Sequence, residues 1–95
     1  MSVDDEVFEA HAIVKGVVQG VGFRATARKI ALRQHLVGTA RNQPDGSVEI
    51  YVQGSKREIS LFFEMITQET FGSIESLSIV YESLKTPFTG FHVVS

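Results

Sequence analysis

The fold is decided by one glycine-rich stretch, Lys15-Gly16-Val17-Val18-Gln19-Gly20-Val21-Gly22-Phe23-Arg24. A β-branched run leads into it, and a helical pattern follows it. Glycine permits backbone dihedrals that other residues avoid, so successive N–H groups can turn toward one point. A loop that ends in this way at a helix N-terminus binds anions, because free amides and the helix dipole face the ligand. Arg24 adds a planar fork suited to phosphate or carboxylate oxygens. The stretch therefore predicts an oxyanion site.

The composition of the stretch allows two other interpretations to be compared with this one. Residues 20–25 fit the loose dinucleotide pattern G-x-G-x-x-A, but that pattern has meaning only in a doubly wound sheet. A chain of 95 residues is too short for such a sheet. The stretch also fits a plain glycine-rich connection with one solvated arginine.

Charge is distributed unevenly along the chain. Residues 10–44 contain no Asp or Glu, although the net charge of the whole chain is −2. Six of the nine basic residues lie there, at Lys15, Arg24, Arg28, Lys29, Arg33 and Arg41. This pattern indicates a region that attracts a small anion. Arg28, Lys29 and Arg33 we interpret instead as a solvated helix face.

Length and composition predict one domain over residues 1–95, with residues 1–6 as a flexible tail. The chain has no cysteine, which excludes disulfides and thiolate nucleophiles and suits a cytoplasmic location. The acidic N-terminus does not have the order of a signal peptide, and no apolar run approaches a membrane span. Near-neutral charge argues against general nucleic-acid binding.

Hydrophobic periodicity predicts the remaining elements. In chain order these are a strand over residues 7–14, a helix from residue 23 to about 35, strands over 37–42 and 48–52, a helix ending before Gly72, a strand over 77–81 and a short strand over 91–94. Residues 43–46 are a turn signal that joins two strands into a hairpin, and residues 55–58 match a capping box. The order β-α-β-β-α-β predicts a ferredoxin-like α+β sandwich, an antiparallel sheet with two helices on one face. Right-handed crossovers place the first strand beside the third at its centre.

Two segments carry a resemblance to a known family. Residues 16–24, GVVQGVGFR, closely resemble the first signature of the acylphosphatase family, and residues 38–49, GTARNQPDGSVE, resemble the second. Their separation and the order of elements also match.

The chain departs from the family pattern at three places. Ala25 follows the arginine where the family often has an aromatic residue, and Thr39-Ala40 stand where it commonly has Trp-Val. The Gly-Pro that often follows helix two is missing around Gly72. These changes touch packing and substrate fit and leave the loop, Arg24 and Asn42 intact.

The resemblance implies a small cytoplasmic hydrolase of carboxyl–phosphate anhydrides that needs no metal or cofactor. Its partners are a small acyl phosphate and inorganic phosphate, which is both product and inhibitor; we expect a monomer that binds no membrane and no nucleic acid. The family's catalytic arginine falls on Arg24 and its catalytic asparagine on Asn42. The phosphate-binding residues are Gln19, Gly20, Val21, Gly22, Phe23 and Arg24.

These residue types suit the chemistry. Loop amides and Arg24 can hold the phosphoryl oxygens, while the Asn42 amide can orient a water for in-line attack. Without the resemblance, Asn42 is better interpreted as a turn residue before Pro44. The three histidines show no pairing with a nucleophile, so we expect direct attack by water.

Two alternatives come from other classes. One is an anion-binding or carbamoyl-phosphate-handling regulatory module. The other is an RNA-binding ferredoxin-like module, which needs exposed aromatic residues on adjacent central strands. Phe8, Val14, Val48 and Ile50 look like core positions instead.

Overall fold

A five-stranded sheet with both helices on one face forms the computed structural model of this protein, which describes residues 6–94. The elements are β1 Phe8–Val17, α1 Phe23–Arg33, β2 Val37–Asn42, β3 Val48–Gly54, α2 Lys56–Glu69, β4 Ser73–Ser83 and β5 Phe91–Val94. All seven were predicted from periodicity, with shifts at several ends. The predicted flexible tail falls almost wholly on residues 1–5, outside the described residues.

The sheet has the strand order β4-β1-β3-β2-β5, so β1 does lie beside β3 at its centre. The four strands β1 to β4 pair antiparallel, as predicted, and the turn between β2 and β3 is closed by the Gly46 amide donating to the Gln43 carbonyl at 3.1 Å. The fifth strand differs, because β5 pairs with β2 in parallel. The chain leaves β4 at one edge and must cross to the other before β5 begins, so it arrives in the direction of β2. The sheet is therefore mixed.

Strand β1 runs three residues past its predicted end. A bulge falls between Lys15 and Gly16, and a Cβ at Gly16 would collide with the backbone carbonyl of Ser73 on β4. Gly16 therefore serves the close approach of two strands. It and Val17 belong to the strand, and the loop proper is residues 18–22.

Helix α1 stops two residues before its predicted end at His35. The His35 backbone is left-handed, with φ of 58°, and the Leu36 amide donates back to the Ala31 carbonyl at 2.9 Å. A left-handed residue after the last turn is a common helix stop, although glycine usually occupies it. Histidine gave no sequence signal for that stop.

The core lies between the helices and one sheet face. Alternate residues of β1 and β3 are fully buried against the predicted apolar stripes of both helices. The buried strand residues include Ala10, Ala12, Val14, Val48, Ile50 and Val52, and the buried helix residues include Ala27, Ile30, Ile59, Phe62 and Ile66. Phe8, expected on the same face, is half-buried at its end. Within residues 6–94, no helix is long and apolar enough to cross a membrane.

Helix α2 begins with the predicted capping box. The Ser55 hydroxyl accepts from the Glu58 amide at 3.1 Å, and the Glu58 carboxylate accepts from the Ser55 amide at 2.9 Å. Helix α1 has no side-chain cap at its N-terminus, so the amides of its first turn are left for another acceptor. Strands β1, β2 and β5 end, and α1 begins, at the same edge of the sheet.

Candidate active site

The loop of residues 18–22 turns the chain from β1 into α1 through two left-handed glycines. Gly20 and Gly22 both have φ of 77°. A Cβ at either position would meet no protein atom within 4 Å. The backbone conformation, and not crowding, is therefore what requires glycine here.

The N-terminus of α1 has no side chain that caps its free amides or balances the positive end of the helix dipole. Its N-cap, Gly22, has no side chain to cap it, and the first turn has no acidic residue. The Thr26 amide makes the first helical bond, to the Gly22 carbonyl at 3.0 Å, so the three preceding helical amides lack an acceptor in the helix. Arg24 places a cation in this same turn, where the helix dipole disfavours it. An anion at this point would satisfy the amides and the arginine together.

The Arg24 guanidinium is anchored on the last strand. Its Nη1 donates to the Val94 carbonyl at 3.0 Å, which leaves its other N–H groups for a ligand. One turn later, Arg28 Nε donates to the Phe91 carbonyl at 3.3 Å. Strand β5, the short addition to the sheet, therefore orients the predicted catalytic arginine.

Asn42 ends β2 and contributes to the same cavity as Arg24. The cavity has a volume of about 190 Å³, and its lining residues are Val18, Gly20, Gly22, Phe23, Arg24, Ala25, Asn42 and Val93. Asn42 Oδ1 is buried and accepts no hydrogen bond from residues 6–94. Buried acceptors without a partner are rare and costly, so the Asn42 amide is an unusual group in this cavity wall.

Two of the predicted phosphate-binding residues lie outside the cavity lining. The Val21 side chain lies against Gly72. Gln19 Nε2 donates to the carbonyls of Gln43 and Ser47, each at 2.8 Å. Gln19 thus fastens the loop to the turn that follows Asn42, a role that nothing in the sequence pattern indicated.

The turn itself is held by one carboxylate. Asp45 Oδ1 accepts from the Ser47 hydroxyl at 2.6 Å and from the Ser47 amide at 2.9 Å. The Ser47 hydroxyl, followed by its amide, lowers the pKa of Asp45 from the ordinary 3.8. The Ser47 carbonyl in turn accepts from Gln19. Loop and turn form one connected unit around Asn42.

The basic stretch does not converge on the cavity. Of its six cations only Arg24 lines it. Lys15 lines a separate cavity with Asp45 and Glu75, and Arg33 forms an ion pair with Glu69 on α2 at 2.5 Å. Of the six cations in the basic stretch, Arg24 is therefore the one placed to contact an anion in this cavity.

The sheet face opposite the helices carries an aromatic pair that the sequence reasoning missed. His11 on β1 and Tyr51 on β3 face each other in register and stack, with ring centroids 4.4 Å apart. Burial, and then Glu49 with other carboxylates, raises the pKa of Tyr51 above its ordinary 10.0. The core assignment of Val14, Val48 and Ile50 is confirmed. The one sequence signal for this pair was that His11 and Tyr51 occupy the positions of their strands that alternate with the buried core residues.

Metal-ligand chemistry has no cluster to support it in the described chain. Among residues 6–94, no group of three or more His, Asp or Glu side chains is placed to hold an ion. None of His11, His35 and His92 lines the cavity; His11 bonds to Glu49 at 2.9 Å and His92 to the Thr89 carbonyl at 2.7 Å.

The structure is an α+β protein with a cavity at an uncapped helix N-terminus, and comparisons with known proteins give the family. The family model for acylphosphatase matches residues 10–93. An acylphosphatase of Thermus thermophilus is 41% identical over 83 residues, which cover 86% of this chain and 93% of that protein. The chain belongs to the acylphosphatase family, and its assignment as an enzyme of that family is confirmed.

Solved structures agree with this assignment. The crystal structure of the acylphosphatase from Bacillus subtilis matches with a TM-score of 0.87 and 29% identity, covering 93% of this chain and 99% of that one. HypF of T. kodakarensis matches with a TM-score of 0.79 and 28% identity, but the match covers 90% of this chain and only 12% of that one. The same fold therefore also occurs as a small part of a much longer protein.

Proposed function

We propose that this protein hydrolyses the carboxyl–phosphate anhydride bond of small acyl phosphates, giving a carboxylate and inorganic phosphate. One observation carries the proposal: Arg24 and Asn42 line a single cavity at a helix N-terminus that has no cap. Every group needed to hold a phosphoryl dianion and one water is present there. Membership of the family supports the same reaction.

The phosphoryl group is held by the helix start and Arg24. Backbone amides at Gly20, Gly22 and Phe23 and the free N–H groups of Arg24 donate to its oxygens. The acyl carboxylate is already a good leaving group, so positioning and charge stabilisation supply most of the acceleration. Because Arg24 is anchored on Val94, its donors need little reorganisation as charge spreads over the phosphoryl oxygens.

Asn42 positions the attacking water. Its side-chain amide, which lines the cavity, forms a hydrogen bond with the water and directs the lone pair of the water oxygen toward phosphorus. The new P–O bond forms as the bond to the acyl oxygen breaks, and the carboxylate leaves with the electron pair. The water proton passes to a phosphoryl oxygen. The chain has no cysteine that could form a covalent intermediate through sulfur.

Hydrolysis of benzoyl phosphate in ¹⁸O-labelled water tests both the reaction and its direction. Attack on phosphorus places the label in phosphate, whereas attack on the carbonyl carbon places it in benzoate. Asn42→Ala should lower kcat about 10²–10³-fold, the scale for losing one positioned polar group. Competitive inhibition by phosphate should persist in that variant and disappear in Arg24→Ala. Label in benzoate, or phosphate inhibition lost with Asn42 and kept without Arg24, would reverse the assignment.

The alternative of a non-catalytic anion-binding module has support from the partial match to HypF. It predicts phosphate binding without turnover. The labelling experiment separates the two, because a module leaves benzoyl phosphate at its uncatalysed rate of hydrolysis. An RNA-binding role has less support, since the carboxylates around Tyr51 would repel a phosphate backbone.

A further inference from the structure

The cavity wall divides into a polar and an apolar part. Backbone amides, Arg24 and Asn42 form the polar part. The apolar part has Val18 and Phe23 fully buried beneath it, and Ala25 and Val93 exposed at its mouth. Val93 keeps 42% of its surface accessible, although Phe91 on the same strand is buried in the core.

The Arg24 anchor places the apolar part beside the phosphoryl site. Arg24 donates to the carbonyl of Val94, the residue that follows Val93, while Ala25 is the next residue of α1. A phosphoryl group bound to this guanidinium would therefore share its cavity with Ala25 of the helix and Val93 of the strand. Both residues line the same 190 Å³ cavity. A phosphoryl group has four heavy atoms, so the cavity has room for part of the group bonded to it.

The chemistry of the wall selects among acyl groups. Apart from Arg24, no charged side chain lines the cavity in the described chain. A second charge on the acyl group would lose water there without gaining a partner. An apolar acyl group would instead cover the exposed surface of Ala25 and Val93. The volume lies below the range of about 300–1,000 Å³ usual for ligand pockets, which suits a compact group.

We infer that Ala25 and Val93 form a subsite for the acyl group, which makes the enzyme selective for acyl phosphates with a compact apolar acyl part. The inference rests on the proposed function, because the phosphoryl group must first be held at Arg24. It gives a role to Ala25, the small residue that stands where the family often has an aromatic one. A small side chain there keeps the mouth of the cavity open.

The test compares kcat/KM for benzoyl phosphate and acetyl phosphate, which share the phosphoryl group and differ in the acyl group. Val93→Thr keeps the branched shape and adds a hydroxyl. It should lower the benzoyl-to-acetyl ratio about three- to tenfold, since one buried methylene corresponds to about fourfold. Ala25→Ser should lower the ratio in the same direction. Val80→Thr, at an exposed valine on β4 at the other edge of the sheet, should leave it unchanged.

Inhibition by inorganic phosphate separates the possible outcomes, because phosphate has no acyl group. The inhibition constant should stay within about twofold of wild type in both subsite variants, a change worth less than ~0.5 kcal/mol. An unchanged ratio in a folded, active Ala25→Ser or Val93→Thr protein overturns the subsite alone. A ratio that falls only together with phosphate affinity would mean that Val93 acts through Arg24, and this too overturns it. If the wild type hydrolyses neither substrate, the proposed function fails as well.

Discussion

The Arg24 guanidinium donates to the backbone carbonyl of Val94 at 3.0 Å, across 70 positions of sequence. The contact exists because β5 pairs in parallel with β2 and so ends at the edge where α1 begins. The last strand of the described chain thus fixes the orientation of a side chain near its start. In the proposed reaction Arg24 must therefore bind the protein and the phosphoryl group at once.

That double requirement predicts that lysine cannot replace Arg24. Arg24→Ala should nearly abolish turnover and phosphate inhibition, and Arg24→Lys should recover little of either. An ammonium has its donors on one atom and cannot reproduce the planar fork that reaches Val94 and a phosphoryl oxygen together. Turnover of benzoyl phosphate and far-UV circular dichroism measure activity and folding. Lys29→Ala, at an exposed cation of the same helix, is the matched control and should behave as wild type. Near-normal activity of the lysine variant would contradict the two-point contact.

Gln19 should matter for turnover although its side chain does not line the cavity. Its amide holds the loop to the turn beyond Asn42 through two bonds of 2.8 Å. Gln19→Ala leaves the carbonyls of Gln43 and Ser47 without this donor and lets Asn42 move relative to the loop. We expect kcat to fall at least about tenfold, since small misplacements of catalytic groups are costly. Gln68→Ala, at an exposed glutamine on α2, is the control. Equal kcat in the two variants would show that the turn holds Asn42 without the loop.

The two loop glycines should separate backbone conformation from crowding. Gly20→Ala and Gly22→Ala place a Cβ in open space on a left-handed backbone, which costs about 1–2 kcal/mol. Each should lower the free energy of unfolding by about 0.5–1 kcal/mol, which is the left-handed cost less the backbone entropy that alanine removes from the unfolded chain, and each should weaken phosphate inhibition. Asn adopts this conformation more readily, so the Asn variants should lose less. Gly90→Ala, at φ of 73° outside the cavity, should lose stability alone. Urea unfolding and phosphate inhibition supply the two readouts, and full phosphate affinity in Gly22→Ala would contradict a cradle built from these amides.

The sequence predicts the elements better than it predicts how the site is held together. Alternation at Ala10, Ala12 and Val14 identifies a buried strand face, because every second side chain of a strand points to the same side of the sheet. The Arg24–Val94 and Gln19–Ser47 contacts join distant segments, and no periodicity records which carbonyl a side chain will reach. The direction of β5 was predicted wrongly for the same reason: an antiparallel sheet was expected, but β5 pairs in parallel with β2. It depends on where the chain crosses the sheet and not on the four residues of the strand.

His35 offers a test of the one helix end that the sequence did not predict. Its φ of 58° places a side chain where glycine is usual. His35→Gly should raise the free energy of unfolding by about 0.5–1 kcal/mol, the left-handed cost less the extra backbone entropy of glycine in the unfolded chain. His35→Ala keeps the Cβ and should bring no such gain. If the two variants unfold at the same urea concentration, the left-handed backbone is not strained.

Turnover should be nearly independent of pH between about 5 and 8, because histidine alone among the side chains ordinarily titrates there and none lines the cavity. The shifted groups lie outside this window. The pKa of Asp45 is lowered from 3.8 by the Ser47 hydroxyl, so its stabilising effect on the turn is present above that value and is lost only as the pH falls through the lowered pKa. Burial raises the pKa of Tyr51 from 10.0, so the phenol stays neutral throughout. A general base in the enzyme–substrate complex would give a limb in the pH profile of kcat. The measurement is that profile for wild type and for a variant with His11→Gln, His35→Asn and His92→Gln, each with and without EDTA. A limb that disappears with the histidines would identify a base, and loss of activity in EDTA would mean that a metal, and not Arg24, stabilises the charge on the phosphoryl group.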